Sequence, residues 1–124
     1  MIKGIGIDSI ELERVARVLK DFGGRFVGKI CTRAESEYFD RLRDPVPAVA
    51  GRFAAKEACM KALGTGWNRG VRWRDIEVKR LDIGKPEITL HGNAEAACRE
   101  MGASVIHCTI THSKTHAVAL VILE

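Results

Sequence analysis

The sequence predicts an α+β fold, a small antiparallel sheet packed with helices in one domain spanning residues 1–124. Three observations carry that expectation. Apolar residues recur at helical spacing in several segments and alternate at the two-residue period of strands near both ends of the chain. Turns bearing glycine or proline separate these segments, and no linker-like or repetitive stretch divides them. Apolar residues fill 46% of the 124 positions while aromatics fill only 6%, which suits one core built mainly from aliphatic side chains and alanine.

Taken in order, Ile2 to Asp8 reads as a short strand with Ile5 and Ile7 on one face and Gly4, Gly6 and Asp8 on the other. A helix follows at about 10–21. Leu12, Val15, Val18, Leu19 and Phe22 form its apolar side, and Arg14, Arg17 and Lys20 lie opposite. Gly23-Gly24 breaks it. Thr32 and Glu35 have the spacing of a capping box, so a second helix runs to about Leu42, where Asp44-Pro45 and Pro47 end it. The next helix, about 48–63, is apolar nearly all round and is expected to be buried although it carries Arg52, Lys56, Glu57 and Lys61. Gly64 suits its left-handed terminator. Ile76 to Leu81 and Glu87 to Leu90 read as strands about a Gly84-Lys85-Pro86 turn. A helix spans about Asn93 to Met101. Val105 to Thr111 and His116 to Leu123 are strands joined at His112-Ser113-Lys114-Thr115. Three or four strands with four helices are therefore expected. The last strand is apolar on both faces, so helices or another subunit must cover the second one.

The formal net charge of +4 favours anionic partners: a phosphorylated small molecule, an acidic protein or a nucleic acid. The four cysteines, at 31, 59, 98 and 108, lack zinc-type spacing and read as buried free thiols. Neither a secretory leader nor a bilayer-spanning stretch is evident, so a reducing cytoplasmic setting is expected, with no membrane partner.

Several residues can do chemistry, each with a plainer alternative. Glu57 and Lys61 sit on adjacent turns of one helix face, as a surface ion pair or as a functional pair within an otherwise apolar helix. Asp8, in Asp8-Ser9-Ile10-Glu11, first reads as the cap of the first helix. Alternatively it is a magnesium ligand that shares the ion with Glu57, since a hard cation wants carboxylate oxygens plus substrate phosphates. Gly64-Thr65-Gly66 is either a helix stop or a turn whose backbone approaches a phosphate. Thr111-His112-Ser113-Lys114 is either a structural turn or a phosphate cradle. The basic side of the first helix, continued by Arg25, Lys29 and Arg33, is either a solvated face or a dock for something acidic.

Taken together, Gly-Ile-Gly-Ile-Asp-Ser-Ile-Glu at 4–11, Arg-Phe-Ala-Ala-Lys-Glu-Ala at 52–58, Lys-Ala-Leu-Gly-Thr-Gly at 61–66, Asp-Ile-Glu-Val at 75–78, Gly-Lys-Pro at 84–86 and Ile-Thr-His-Ser at 110–113 strongly resemble the holo-acyl-carrier-protein synthases. These are the short phosphopantetheinyl transferases, and the pieces fall in that family's order across essentially the whole chain. Trp67 stands where a smaller aliphatic side chain looks commoner.

The resemblance implies a transferase fold of that type and a trimer with active sites between subunits. It implies transfer of 4′-phosphopantetheine from coenzyme A to a serine of an acidic acyl carrier protein, in the service of fatty acid biosynthesis. It places magnesium on Asp8 and Glu57, and gives Glu57 and Lys61 catalytic work. It puts coenzyme A against Arg52, Lys61, Gly64, Gly66, Lys85, Pro86, Thr111, His112 and Ser113. It gives the carrier protein Arg14 first, with Arg17, Arg25 and Phe26 beside it. The alternative from another class is a non-catalytic basic module that binds nucleic acid or an acidic protein. It rests on net charge alone, with no groove-reading motif or stacking platform behind it, so no nucleic-acid partner is expected.

Overall fold

The computed structural model describes residues 1–65, 68–80 and 84–124, with only the backbone of Asn68. Strand β1 spans Gly4–Glu11, followed by helices α1 (Leu12–Phe22), α2 (Gly24–Ile30), α3 (Arg33–Asp40) and α4 (Val46–Leu63). After 3-10 turns at Asn68–Gly70 and Trp73–Asp75 come β2 (Ile76–Arg80), β3 (Pro86–Leu90), α5 (Gly92–Glu100), β4 (Ile106–His112) and β5 (His116–Leu123). Antiparallel β1-β5-β4 forms one sheet and β2-β3 a second. The α+β class expected from sequence holds, with more strands and helices than anticipated. Gly23 (φ 49°) does not simply stop a helix: it turns the chain straight into α2.

Helix α4 lies on β1, and glycine makes this possible. A Cβ on Gly6 would sit 1.8 Å from the Ala58 carbonyl oxygen, and one on Gly4 would sit 2.1 Å from that of Ala62. The glycine face of β1 is therefore the inner one, while Ile5 and Ile7 point outward, 62% and 58% exposed. On α4 the matching surface is Ala54, Ala55, Ala58 and Ala62, all buried. Small residues on both elements bring strand and helix backbones together. The inner face of β5, made of Ala117, Ala119, Val121 and Leu123, is fully buried. Its other face, Val118, Leu120 and Ile122, is half-buried and lies in register with Ile7 and Ile5 on β1.

The Asp8–Glu11 segment is not a helix cap. β1 pairs with β5 as far as Glu11 opposite His116, and α1 starts at Leu12 with no side-chain cap. The sheet ladder satisfies that backbone, which leaves the Asp8 carboxylate for other work. The capping box at Thr32 and Glu35 forms as expected.

Glu35 also anchors a buried polar hub. Its Oε1 accepts from Lys56 Nζ at 2.8 Å and its Oε2 from the Val78 amide at 3.1 Å. The Lys56 ammonium, fully buried, also donates to the carbonyls of Trp73 and Ile76. All three of its protons are thus placed, the condition for a tolerable buried charge. All four cysteines are buried and free. Burial pushes the Cys31 and Cys59 thiols up to about 12 and Cys108 to about 11, so they are inert hydrophobes at neutral pH. No helix among the described residues is long and apolar enough to cross a membrane.

Candidate active site

Two clusters of functional side chains flank α4. The first joins α4 to β1. Lys61 Nζ donates to Asp8 Oδ1 at 3.0 Å and to the Ile7 carbonyl at 2.9 Å. Asp8 is mostly shielded, with 19% of its side chain exposed, while the Lys61 side chain is 55% exposed. Glu57, one turn earlier on the same helix face as Lys61, accepts a 2.7 Å hydrogen bond on Oε1 from the Trp73 indole. The expected Glu57–Lys61 contact is therefore replaced: Lys61 crosses to the strand and Glu57 turns to Trp73. Asp8 and Glu57 are thus both tied to the same stretch of α4: Asp8 through Lys61, and Glu57 as a residue of that helix. Gly64 caps this end of α4 in the left-handed conformation (φ 71°, ψ 9°). Gly66 and Trp67 lie outside the described residues.

The second cluster lines a cleft of about 380 Å³ whose walls include Tyr38, Arg52, Lys79, Arg80, Pro86 and His112. Arg52 dominates it. The residue is only 9% exposed, and its guanidinium lies 4.5 Å over the Tyr38 ring and 5.3 Å from that of Phe39. One long hydrogen bond, 3.5 Å, reaches the Ala48 carbonyl, and its buried Nε has no partner. Burial lowers the guanidinium's proton affinity, and Tyr38 and Glu35 partly restore it. Arg52 thus adds its charge to a cleft wall that also carries Lys79, Arg80 and His112, a charge balance suited to anionic groups.

The sequence-predicted residues thus separate. Arg52, Pro86 and His112 line the cleft; Asp8, Glu57 and Lys61 do not. Lys85 and Thr111 are exposed beside the cleft residues. The Ser113 hydroxyl accepts from the amides of Thr115 and His116 at 3.2 and 3.1 Å, so it also shapes the β4–β5 turn. Arg14, Arg17 and Arg25 are exposed on α1 and α2. Phe26 is half-buried and packs on Phe53 at 6.0 Å, so it has less surface to offer a partner than sequence implies. Phe22, expected in the core, is 54% exposed at the end of α1. Tyr38, Lys79, Arg80 and Trp73 were not anticipated. Each lies outside the recognisable segments, on a helix face, a strand end or a turn without a distinguishing pattern.

Among the described residues no group of three or more His, Cys, Asp and Glu side chains converges as a metal cage. Asp8 and Glu57 still fit magnesium by donor chemistry: both offer carboxylate oxygen, and that ion is commonly held by one or two carboxylates completed by water and phosphate.

Carboxylates and a lysine at one side of α4 and a cleft lined by Arg52, Lys79, Arg80 and His112 at another suit an enzyme that handles phosphate esters. The particular family is clear: the chain belongs to the 4′-phosphopantetheinyl transferase superfamily, whose model matches residues 4–121. It is similar to a holo-[acyl-carrier-protein] synthase of Maridesulfovibrio salexigens, 48% identical over 124 residues, covering 100% of this chain and 99% of the relative. The crystal structure of the Neisseria meningitidis holo-[acyl-carrier-protein] synthase matches with a TM-score of 0.92 and 37% identity, covering 100% of this chain and 99% of that one. A Bacillus anthracis holo-(acyl-carrier-protein) synthase in complex with CoA (3′,5′-ADP) matches with a TM-score of 0.83 and 41% identity, covering 99% and 96%.

Proposed function

We propose that residues 1–124 act as one domain that transfers 4′-phosphopantetheine from coenzyme A to a serine hydroxyl of apo acyl carrier protein, in the cytoplasm. The observation that supports this is the Lys61–Asp8 contact at 3.0 Å, which links the β1 acid to a lysine one turn from Glu57 on α4. Asp8 and Glu57 would hold magnesium, which when bound supplies charge neutralisation to the diphosphate. Lys61, half-exposed beside Asp8, adds a positive charge where the phosphoryl oxygens gain negative charge. The carrier serine oxygen attacks the phosphorus that bears pantetheine. The bond from that phosphorus to the adenosine bisphosphate oxygen breaks, and adenosine 3′,5′-bisphosphate leaves. Glu57 takes the serine proton, directly or across one water. Arg52 and His112, with Lys85, Pro86, Thr111 and Ser113 nearby, receive the nucleotide portion. The turn after α4 that opens at Gly64 is assigned to the phosphates, with Gly66 as its second glycine in sequence.

Arg52 and Lys61 are nine positions apart on α4, about two and a half turns, so they point to opposite sides. One coenzyme A joins the two clusters most simply when each comes from a different copy of the chain. This supports active sites between subunits, and the family resemblance makes the assembly a homotrimer. The apolar outer face of Ile5, Ile7, Val118, Leu120 and Ile122 is the surface suited to that contact. Exposed Arg14, with Arg17 and Arg25, is the dock for an acidic carrier protein, and Phe26 is a minor contributor.

The direct test is mass spectrometry of apo carrier protein incubated with coenzyme A, magnesium and this protein. A mass gain of one phosphopantetheine is expected. An unmodified carrier, with a known transferase active in parallel, would refute the proposal.

A further inference from the structure

Two consecutive residues of α4 grip Trp73 at both ends. The Lys56 ammonium holds its backbone carbonyl at 3.2 Å, and the Glu57 carboxylate accepts from its indole at 2.7 Å. The ring itself is clamped. Phe53 packs on it at 5.9 Å, Phe26 on Phe53 at 6.0 Å, and Lys29 Nζ stands 5.9 Å over its face. Its short turn is pinned by Arg72 and Asp75, whose side chains pair at 3.1 Å, and by the His91 amide on the Asp75 carbonyl at 2.8 Å. A donor fixed this firmly fixes whatever it bonds. A glutamate four residues ahead of a lysine on one helix is within reach of that lysine and gains modestly by pairing with it. Here Glu57 does not: its Oε1 is held by Trp73, and Lys61 is spent on Asp8 and Ile7.

We propose that Trp73 is a positioning residue for Glu57. Its indole N–H holds Oε1, keeps the carboxylate from collapsing onto Lys61, and leaves the second oxygen for the cation or the serine proton. The inference rests on the catalytic role proposed for Glu57. It assigns work to a residue outside every segment that marks the family in the sequence.

The test compares the wild-type protein with Trp73→Phe, which keeps an aromatic ring and removes the donor. A second variant carries Trp67→Phe, so that residue 73 is the sole tryptophan, and replaces the remaining indole with 3-benzothienylalanine, in which sulfur takes the place of N–H. Its reference is Trp67→Phe alone. Loss of a charge-assisted hydrogen bond is expected to lower kcat about tenfold and to raise the magnesium concentration needed for half-activation. The KM for carrier protein stays unchanged, and the melting temperature falls by no more than a few degrees. On a Glu57→Gln background, followed by single-turnover mass spectrometry, Trp73→Phe adds no further loss, because its partner carboxylate is already gone.

A kcat within about twofold of the reference in the benzothienyl protein would overturn the inference, whatever the phenylalanine variant does to folding. So would the full loss reappearing on the Glu57→Gln background. Near-normal transfer by Glu57→Gln alone would instead overturn the role given to Glu57, so the two failures are distinguishable.

Discussion

Lys56 and Lys61 lie five positions apart on α4 and do opposite work. Lys56 is wholly buried and fixed by Glu35 and two carbonyls, a structural charge; Lys61 is half-exposed and spans to Asp8. Sequence alone placed both on the same apolar helix, and the spacing that linked Glu57 to Lys61 anticipated a contact that the structure does not make: Lys61 reaches Asp8 and Glu57 reaches Trp73. Asp8 was harder still, because Asp-Ser-Ile-Glu has the pattern of a helix cap, and only the continued β1–β5 pairing removes that role. Trp73 carried no local signal, since its partner is sixteen positions away.

Two outcomes follow at the residue scale. Asp8→Ala and Glu57→Ala are each expected to lower transfer at least about a hundredfold while circular dichroism and melting stay near normal. Full activity in either, with magnesium present, contradicts the metal assignment. Lys56→Met leaves the Glu35 carboxylate buried without its cation and is expected to cost about 3–5 kcal/mol in urea unfolding. Adding Glu35→Gln should recover part of that loss.

At the scale of elements, the seam between β1 and α4 sets the site. Gly6→Ala forces a methyl into the Ala58 carbonyl and is expected to destabilise by about 3 kcal/mol or more and to pull Asp8 away from Lys61. Gly28, within α2, has nothing within 4 Å of an added Cβ. Gly28→Ala is therefore expected to stabilise by about 0.5–1 kcal/mol. Urea titration of the pair checks both signs. The sequence periods of α1, α4 and the two terminal strands were legible because each has a continuous apolar face. Helix α2 was not, because Gly23-Gly24 signals an end and its seven residues include a further glycine.

The second sheet is tied to α3 by Glu77, which accepts from Thr32 Oγ1 at 2.7 Å and contacts His91 Nε2 at 3.2 Å. Burial pushes its carboxyl up, but these bonds and Lys79 outweigh burial and hold it below the ordinary 4.5. A depressed carboxyl stabilises the fold above the unfolded-state value and loses that contribution as pH falls through the folded-state value. Glu77→Gln is expected to flatten the decline in stability below about pH 4.5, measured as urea midpoints against pH.

At the scale of the whole molecule, α4 displays its two clusters on opposite sides, and the outer sheet face is apolar. The family segments in the sequence named members of both clusters, Arg52 and His112 as well as Asp8, Glu57 and Lys61. Their division across the helix is a three-dimensional fact that no linear spacing contains. If each active site takes Glu57 from one subunit and Arg52 from its neighbour, two inactive proteins can repair one another.

The decisive measurement is therefore transfer activity of mixed assemblies, co-expressed from Glu57→Ala and Arg52→Ala chains and isolated through two different tags. In the proposed trimer each mixed ring would contain one site with both residues intact, so activity of about one third of the wild-type protein is expected, against almost none for either parent. Mixed assemblies as inactive as their parents would contradict a site shared between subunits.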